Sequence, residues 1–169
     1  GEQFEPEMGF MRRLDYRLSD FSATYAPRPS ASSRIRQFSY RLRGNYYTDH
    51  TNRMIESELN ASFTLNFQSS ARVTIGAQRE AEYIPEDWEV REGFLIPEAV
   101  YSGYDLYLRA NSDQSRPFSG RVNVNYGDYF TGTNLRAGAD LNIASISRTK
   151  MEVEYNFNYV DLPEGSFQA

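Results

Sequence analysis

Apolar and polar residues alternate along most of this chain with a period of two. From Ile55 the odd positions are Ile55, Ser57, Leu59, Ala61, Phe63, Leu65 and Phe67, and the even ones are Glu56, Glu58, Asn60, Ser62, Thr64 and Asn66. Successive side chains of a strand point to opposite sides, so the segment predicts a strand with one greasy and one polar face. After a Gln68-Ser69-Ser70 turn, Val73, Ile75, Ala77, Ala81 and Tyr83 stand against Arg72, Thr74, Gln78, Glu80 and Glu82, which predicts a β-hairpin. A second hairpin sets Leu135, Ala137, Ala139, Leu141 and Ile143 against Asn134, Arg136, Asp140 and Asn142. After a Ser145-Ile146-Ser147 connection, its partner sets Met151, Val153, Tyr155, Phe157 and Tyr159 against Glu152, Glu154, Asn156 and Asn158.

Two further strands lie between the hairpins. In one, Tyr104, Leu106, Leu108 and Ala110 alternate with Asp105, Tyr107, Arg109 and Asn111; in the other, Phe118, Val122, Val124 and Tyr126 alternate with Arg121, Asn123 and Asn125. Two noisier strands precede them all, from about Arg12 to Tyr25 and from Ile35 to Tyr47. In the first, apolar parity slips from Leu14, Tyr16 and Leu18 to Phe21, Ala23 and Tyr25, which predicts a β-bulge near Ser19 or Asp20. No helical period of comparable length occurs. The pattern predicts an all-β, antiparallel up-and-down meander of about eight long strands, with residues 1–169 as a single β-barrel-type domain.

Strand length indicates the kind of barrel. Soluble strands run to about five or six residues and tilted membrane-crossing ones to about nine to eleven; the alternations here last about ten to fourteen. The polar face is too polar to fill a soluble core, so the greasy face is expected to meet lipid, in an outer-membrane-type β-barrel or part of a larger one. The links after the third and seventh strands read as tight. Those after the second, fourth and sixth read as longer, above all Pro85 to Pro97 with the single tryptophan, Trp88. Aromatic residues on the apolar parity towards strand ends, Tyr16, Tyr46, Phe67, Tyr83, Phe118, Tyr126, Phe130 and Tyr159, suit interfacial girdles.

Composition narrows the function classes. With 23 acidic and 18 basic residues the net charge is -5, which argues against a nucleic-acid partner. The absence of cysteine removes disulfides, thiolate metal sites and thiol nucleophiles, and with one histidine a zinc site is not expected. A mean hydropathy of -0.66 suits a barrel whose strands alternate.

Candidate chemistry lies on the polar face and in the loops. Arg41, Arg43, Glu56, Glu58, Glu80, Glu82, Arg121, Asp140, Glu152 and Glu154 are candidate lumen charges. A turn near Asp49-His50 predicts Arg43 opposite Glu56 and Arg41 opposite Glu58, and one near Phe130 predicts Arg121 opposite Asp140. Such pairs let a polar lumen satisfy its own charges. His50 beside Asp49 invites a hydrolase reading, but one polar turn supplies neither a nucleophile nor a third orienting group, so no catalytic residue is assigned and a non-enzyme is expected. The acids Glu86, Asp87, Glu89 and Glu92 lack calcium-hand spacing and read as a solvated loop; no metal or cofactor is expected. Trp88 and Tyr101 are candidate loop contacts for a sugar ring.

Four segments carry a family resemblance: GFMRRLDYRLSDFSATYAPRP (Gly9 to Pro29), FLIPEAVY (Phe94 to Tyr101), YGDYFTGT (Tyr126 to Thr133) and VDLPEGSF (Val160 to Phe167). They resemble bacterial proteins in which a carbohydrate-binding-module family 9-like domain precedes a long C-terminal domain thought to form an outer-membrane barrel. The resemblance implies a bacterial outer-membrane location, lipid contact and a structural, transport or surface-assembly role linked to glycans. In that family further strands follow the segment like VDLPEGSF, so this chain reads as an excerpt. Carbohydrate and other barrel strands or subunits are the implied partners. Two rival functions are a soluble β-barrel or sandwich that binds a ligand, and a barrel-embedded hydrolase using His50 and nearby acids.

Overall fold

The computed structural model describes residues 16–30, 34–91, 94–129, 132–144, 150–162 and 165–168. Its strands, in chain order, are β1 (Arg17–Tyr25), β2 (Ile35–Thr48), β3 (Met54–Phe67), β4 (Arg72–Ile84), β5 (Trp88–Arg91), β6 (Phe94–Ile96), β7 (Ala99–Asn111), β8 (Phe118–Tyr129), β9 (Gly132–Ala144), β10 (Lys150–Leu162) and β11 (Gly165–Gln168). Nine of them form one antiparallel sheet in the order β1-β2-β3-β4-β7-β8-β9-β10-β11, while β5 and β6 pair separately. This is the predicted all-β meander, with eight long strands. Among the described residues β1 and β11 are the two edges and do not pair, so the sheet is open. Among the described residues no helix is long and apolar enough to cross a membrane, which says nothing about crossing with strands.

The register sorts the side chains by face. Residues directly opposite on neighbouring strands share a face, and one row runs Tyr25–Tyr40–Phe63–Ile75–Leu108–Val124–Ala137–Phe157 from β1 to β10. On the other face, one step along, Thr24–Arg41–Ser62–Gly76–Tyr107–Asn125–Arg136–Asn158 follow one another. The alternation of the sequence is therefore kept in register across eight strands.

Burial is the reverse of a soluble domain's. Among the described residues, only Ala81 and Val160 are buried hydrophobics, and no side chain is fully buried. The apolar face stays open, with Tyr25 at 70%, Phe118 at 68% and Tyr155 at 62% exposure. Side chains of the polar face from β2, β3, β4 and β7 line a concavity of about 710 Å³, more enclosed than the shallow apolar hollow of similar volume at Tyr25, Tyr40, Phe63 and Ile75, so these four strands are concave on their polar side.

Four sequence expectations change. First, β1 pairs with β2 residue for residue from Arg17 to Tyr25, so there is no bulge at Ser19 or Asp20; Leu18 lies opposite Tyr47 on the polar parity. Leu14 falls outside the described residues. The irregularities are in β2, between Ile35 and Gln37 and between Tyr47 and Thr48. Second, the links after the second and sixth long strands are short, residues 49–53 and 130–131, because the strands run on past the last apolar positions to Thr48 and Tyr129. Third, the connection from β4 to β7 is long, as expected, but contains the β5–β6 hairpin. Fourth, Tyr101 lies within β7, opposite Glu82, and is not a loop residue.

Candidate functional site: the polar concave face and the open apolar face

Two turns at opposite ends of the sheet are built in the same way. At residues 49–53 the Asp49 carboxylate accepts from the Thr51 N–H (2.8 Å), the Thr51 hydroxyl (2.6 Å) and the Arg53 N–H (2.9 Å). Asn52 there takes a positive φ of 64°, which asparagine tolerates better than most residues. In the β7–β8 turn, Asp113 likewise accepts from the Ser115 N–H (3.0 Å) and hydroxyl (2.6 Å). Both carboxyls are held below the ordinary value of 3.8, above all by those side-chain hydroxyl bonds.

The Asp49 turn sets the register of β2 on β3 and overturns two predicted pairs. With the turn centred on Thr51-Asn52, Arg43 faces Asn60 and Arg41 faces Ser62, while Glu56 faces Tyr47 and Glu58 faces Asn45. The same carboxylate is committed to Thr51 and Arg53, the latter also through an ion pair at 3.2 Å, while His50 stands exposed at the apex.

The third predicted pair forms. Arg121 Nη1 lies 3.9 Å from Asp140 Oδ2 across β8 and β9. Six of the candidate acids fall beside their own sign in the register: Glu56 opposite Glu82, Glu58 opposite Glu80, and Asp140 opposite Glu154. Amide donors serve several of these acids. Asn45 Nδ2 donates to Glu58 (3.3 Å), Asn156 Nδ2 to Glu154 (2.7 Å) and Gln78 Nε2 to Glu80. Glu152 faces Asn142.

Glycines on the polar face let β7 reach across its neighbours. Tyr107 crosses Gly76 of β4, where a Cβ would fall inside its ring, and its hydroxyl donates to Asn60 Oδ1 on β3 at 3.1 Å. Asp105 crosses Gly127 of β8 in the same way, and its Oδ1 lies 4.0 Å from Arg136 Nη2 on β9. A glycine inside a strand marks such close approach, and that signal in the sequence was the one available for finding Tyr107 and Asp105.

Five arginines line the concavity: Arg36, Arg41, Arg43, Arg72 and Arg109. Sequence reasoning named only Arg41 and Arg43 among them. Arg72 Nε donates to Asn66 Oδ1 at 3.0 Å, and the Arg109 guanidinium sits 4.8 Å from the centroid of the Tyr107 ring. Among the described residues the only acid in the lining is Glu58.

On the apolar face the aromatics pack side by side. Tyr40 lies 4.8 Å from Phe63, Phe38 is 6.2 Å from Phe63, and Tyr25 is 6.2 Å from Tyr40, all near the end of the sheet that carries Ser69 and Ser70. At the other end Arg53 stacks 4.7 Å over Tyr83, whose hydroxyl donates to Glu98. Away from the strand ends, Arg79 puts a charge on this face, with its guanidinium 5.6 Å from the Tyr104 ring centroid.

Of the loop candidates, Tyr101 donates its hydroxyl to the Pro97 carbonyl (2.9 Å), and Asp87 accepts from the Glu98 N–H (2.8 Å). Trp88 opens β5, and its side chain and that of Glu89 lie outside the description, as do residues Glu92 and Phe130. Among the described residues no group of acids or His50 converges as a metal site. Comparisons with protein-family models, with curated proteins and with solved structures return no match.

Proposed function

We propose that this chain is a segment of a bacterial outer-membrane β-barrel, with its apolar face against lipid and its polar concave face against water. One observation carries the reading: the apolar residues of eight strands share one face that is largely exposed, whereas the polar residues of β2, β3, β4 and β7 line an enclosed concavity. Exposed apolar patches on soluble monomers rarely exceed a few hundred Å², and strands of 12 to 14 residues such as β2, β3 and β8 are long enough to cross a bilayer at a tilt. Aromatics near both strand ends suit interfacial positions. Among the described residues the edges β1 and β11 offer unpaired backbone groups to further strands, and closing the barrel removes them from lipid. The resemblance to barrel domains that follow a sugar-binding-like module supplies the setting, a structural, transport or surface-assembly role in glycan handling.

The test uses the absence of native cysteine. Single cysteines are placed along β7 in chain refolded into phospholipid vesicles, and each carries a nitroxide. Labels at Leu106 and Leu108 are expected to collide with oxygen and to be shielded from a water-soluble nickel chelate, and labels at Asp105 and Arg109 to show the reverse. A chelate-accessible label at both Leu106 and Leu108 overturns the proposal.

A further inference from the structure

The concavity has a charge balance opposite to the chain's. The whole chain carries more acids than bases, yet five guanidiniums and one carboxylate, Glu58, line this space. Among the described residues none of the five forms an ion pair with a carboxylate, whereas Arg121 and Arg136, on the same face but outside the concavity, each do. Like charges in a cleft with low-dielectric walls focus a field of one sign, which costs stability unless a counter-ion is drawn in.

Local backbone geometry adds a fifth cation to the cluster. Strict alternation along β2 would put Arg36 beside Phe38 and Tyr40 on the apolar face. The register irregularity between Ile35 and Gln37 turns it to the polar side, where it lines the same space as Arg41 and Arg43. Bulges commonly re-aim one side chain in this way. Two of the guanidiniums are pre-positioned, Arg72 by Asn66 and Arg109 by the Tyr107 ring, and the latter is tied through its hydroxyl to Asn60. Hydroxyls of Ser39 and Ser62, and whichever of Thr64 and Thr74 accepts in their mutual 2.9 Å hydrogen bond, supply neutral donors between them.

From this geometry we infer that the concavity formed by β2, β3, β4 and β7 is a binding site for a hydrated oxyanion carrying more than one negative charge, of the phosphate, sulfate or carboxylate class. Guanidinium suits such ligands because its planar fork donates two parallel hydrogen bonds to two oxygens. Glu58 closes one end of the site and repels a second anion there. The inference needs only that the polar face be wet; it does not depend on what covers the apolar face, which the nitroxide labels on β7 report independently.

The probe is inorganic pyrophosphate, titrated calorimetrically into the chain folded in non-ionic maltoside micelles, with sodium chloride at matched ionic strength as the control. Saturable binding is expected for pyrophosphate and none for chloride. R41Q/R43Q is expected to weaken it at least tenfold, R36Q at least threefold, and R121Q less than twofold, with folding of each variant checked by its far-ultraviolet circular dichroism. R36Q changes one exposed side chain and keeps the test decisive if the double variant does not fold. Non-saturable heats, equal binding of chloride, or equal losses in R36Q and R121Q overturn the inference.

Discussion

At the scale of single residues, the polar face is organised by side chains that hold backbone or cross a glycine. Asp49 is the clearest case, since its carboxylate fixes the turn and through it the register of β2 on β3. Its pKa is depressed in the folded chain, so its contribution is present above the unfolded value, near 3.8, and is lost as pH falls through the lower folded value. The Thr51 and Arg53 amide resonances are therefore expected to stay constant from neutral pH down to about pH 4 and to move together below it. In D49A they should occupy the shifted positions at every pH; pH-dependent amides in that variant would show that another group holds the turn. Gly76 makes a different prediction. A Cβ there meets the Tyr107 ring, and overpacking of this kind costs about 1–3 kcal/mol. G76A is expected to lower the unfolding free energy read from urea denaturation by that amount, while G76A/Y107A should lose little relative to Y107A.

At the scale of elements, alternation predicted each long strand and its faces, but pairing partners depended on turns that alternation does not describe. A shift of the β2–β3 turn centre from the Asp49-His50 step to the Thr51-Asn52 step moves each partner by four residues and leaves the faces unchanged. Arg43 consequently stays on the polar face while its partner changes from Glu56 to Asn60. Cross-strand cysteines test this directly, because opposite residues have Cα atoms about 4.5–5.5 Å apart, within disulfide reach. R43C/N60C should oxidise to an intrachain disulfide under mild conditions. R43C/E56C, separated by a further four residues or about 13 Å along the strand, should not. The charge pairs followed register too: Arg121 meets Asp140 because the β8–β9 link is short and symmetric about the predicted position.

For the whole molecule, the defining property is a sheet whose strands β2, β3, β4 and β7 are concave on their polar side, with its apolar side open. Arg79 puts a charge on that open face, near the middle of β4. An arginine on the lipid face of a barrel costs about 2–4 kcal/mol at the bilayer midplane and little at the interface. On the lipid reading, R79L is expected to stabilise the chain in vesicles by about 1–3 kcal/mol, read from urea unfolding. The mirror variant L106R is expected to be destabilised by a similar amount. Equal stability of wild type, R79L and L106R in vesicles would argue that this face does not meet lipid.

Fold class, the number of long strands and the identity of the two faces were determined by the sequence itself, because a strand's side chains alternate whatever its neighbours do. Candidate charges could be assigned to the polar face for the same reason. Which of them meet was decided only by tertiary structure, since register depends on hydrogen bonds inside particular turns, as at Asp49, and on irregularities such as the one at Ile35–Gln37. The arginine-lined concavity depends on both: Arg41, Arg43, Arg72 and Arg109 are polar by parity, but Arg36 joins them through a local break in the ladder, and the curl of four strands is what brings all five around one space.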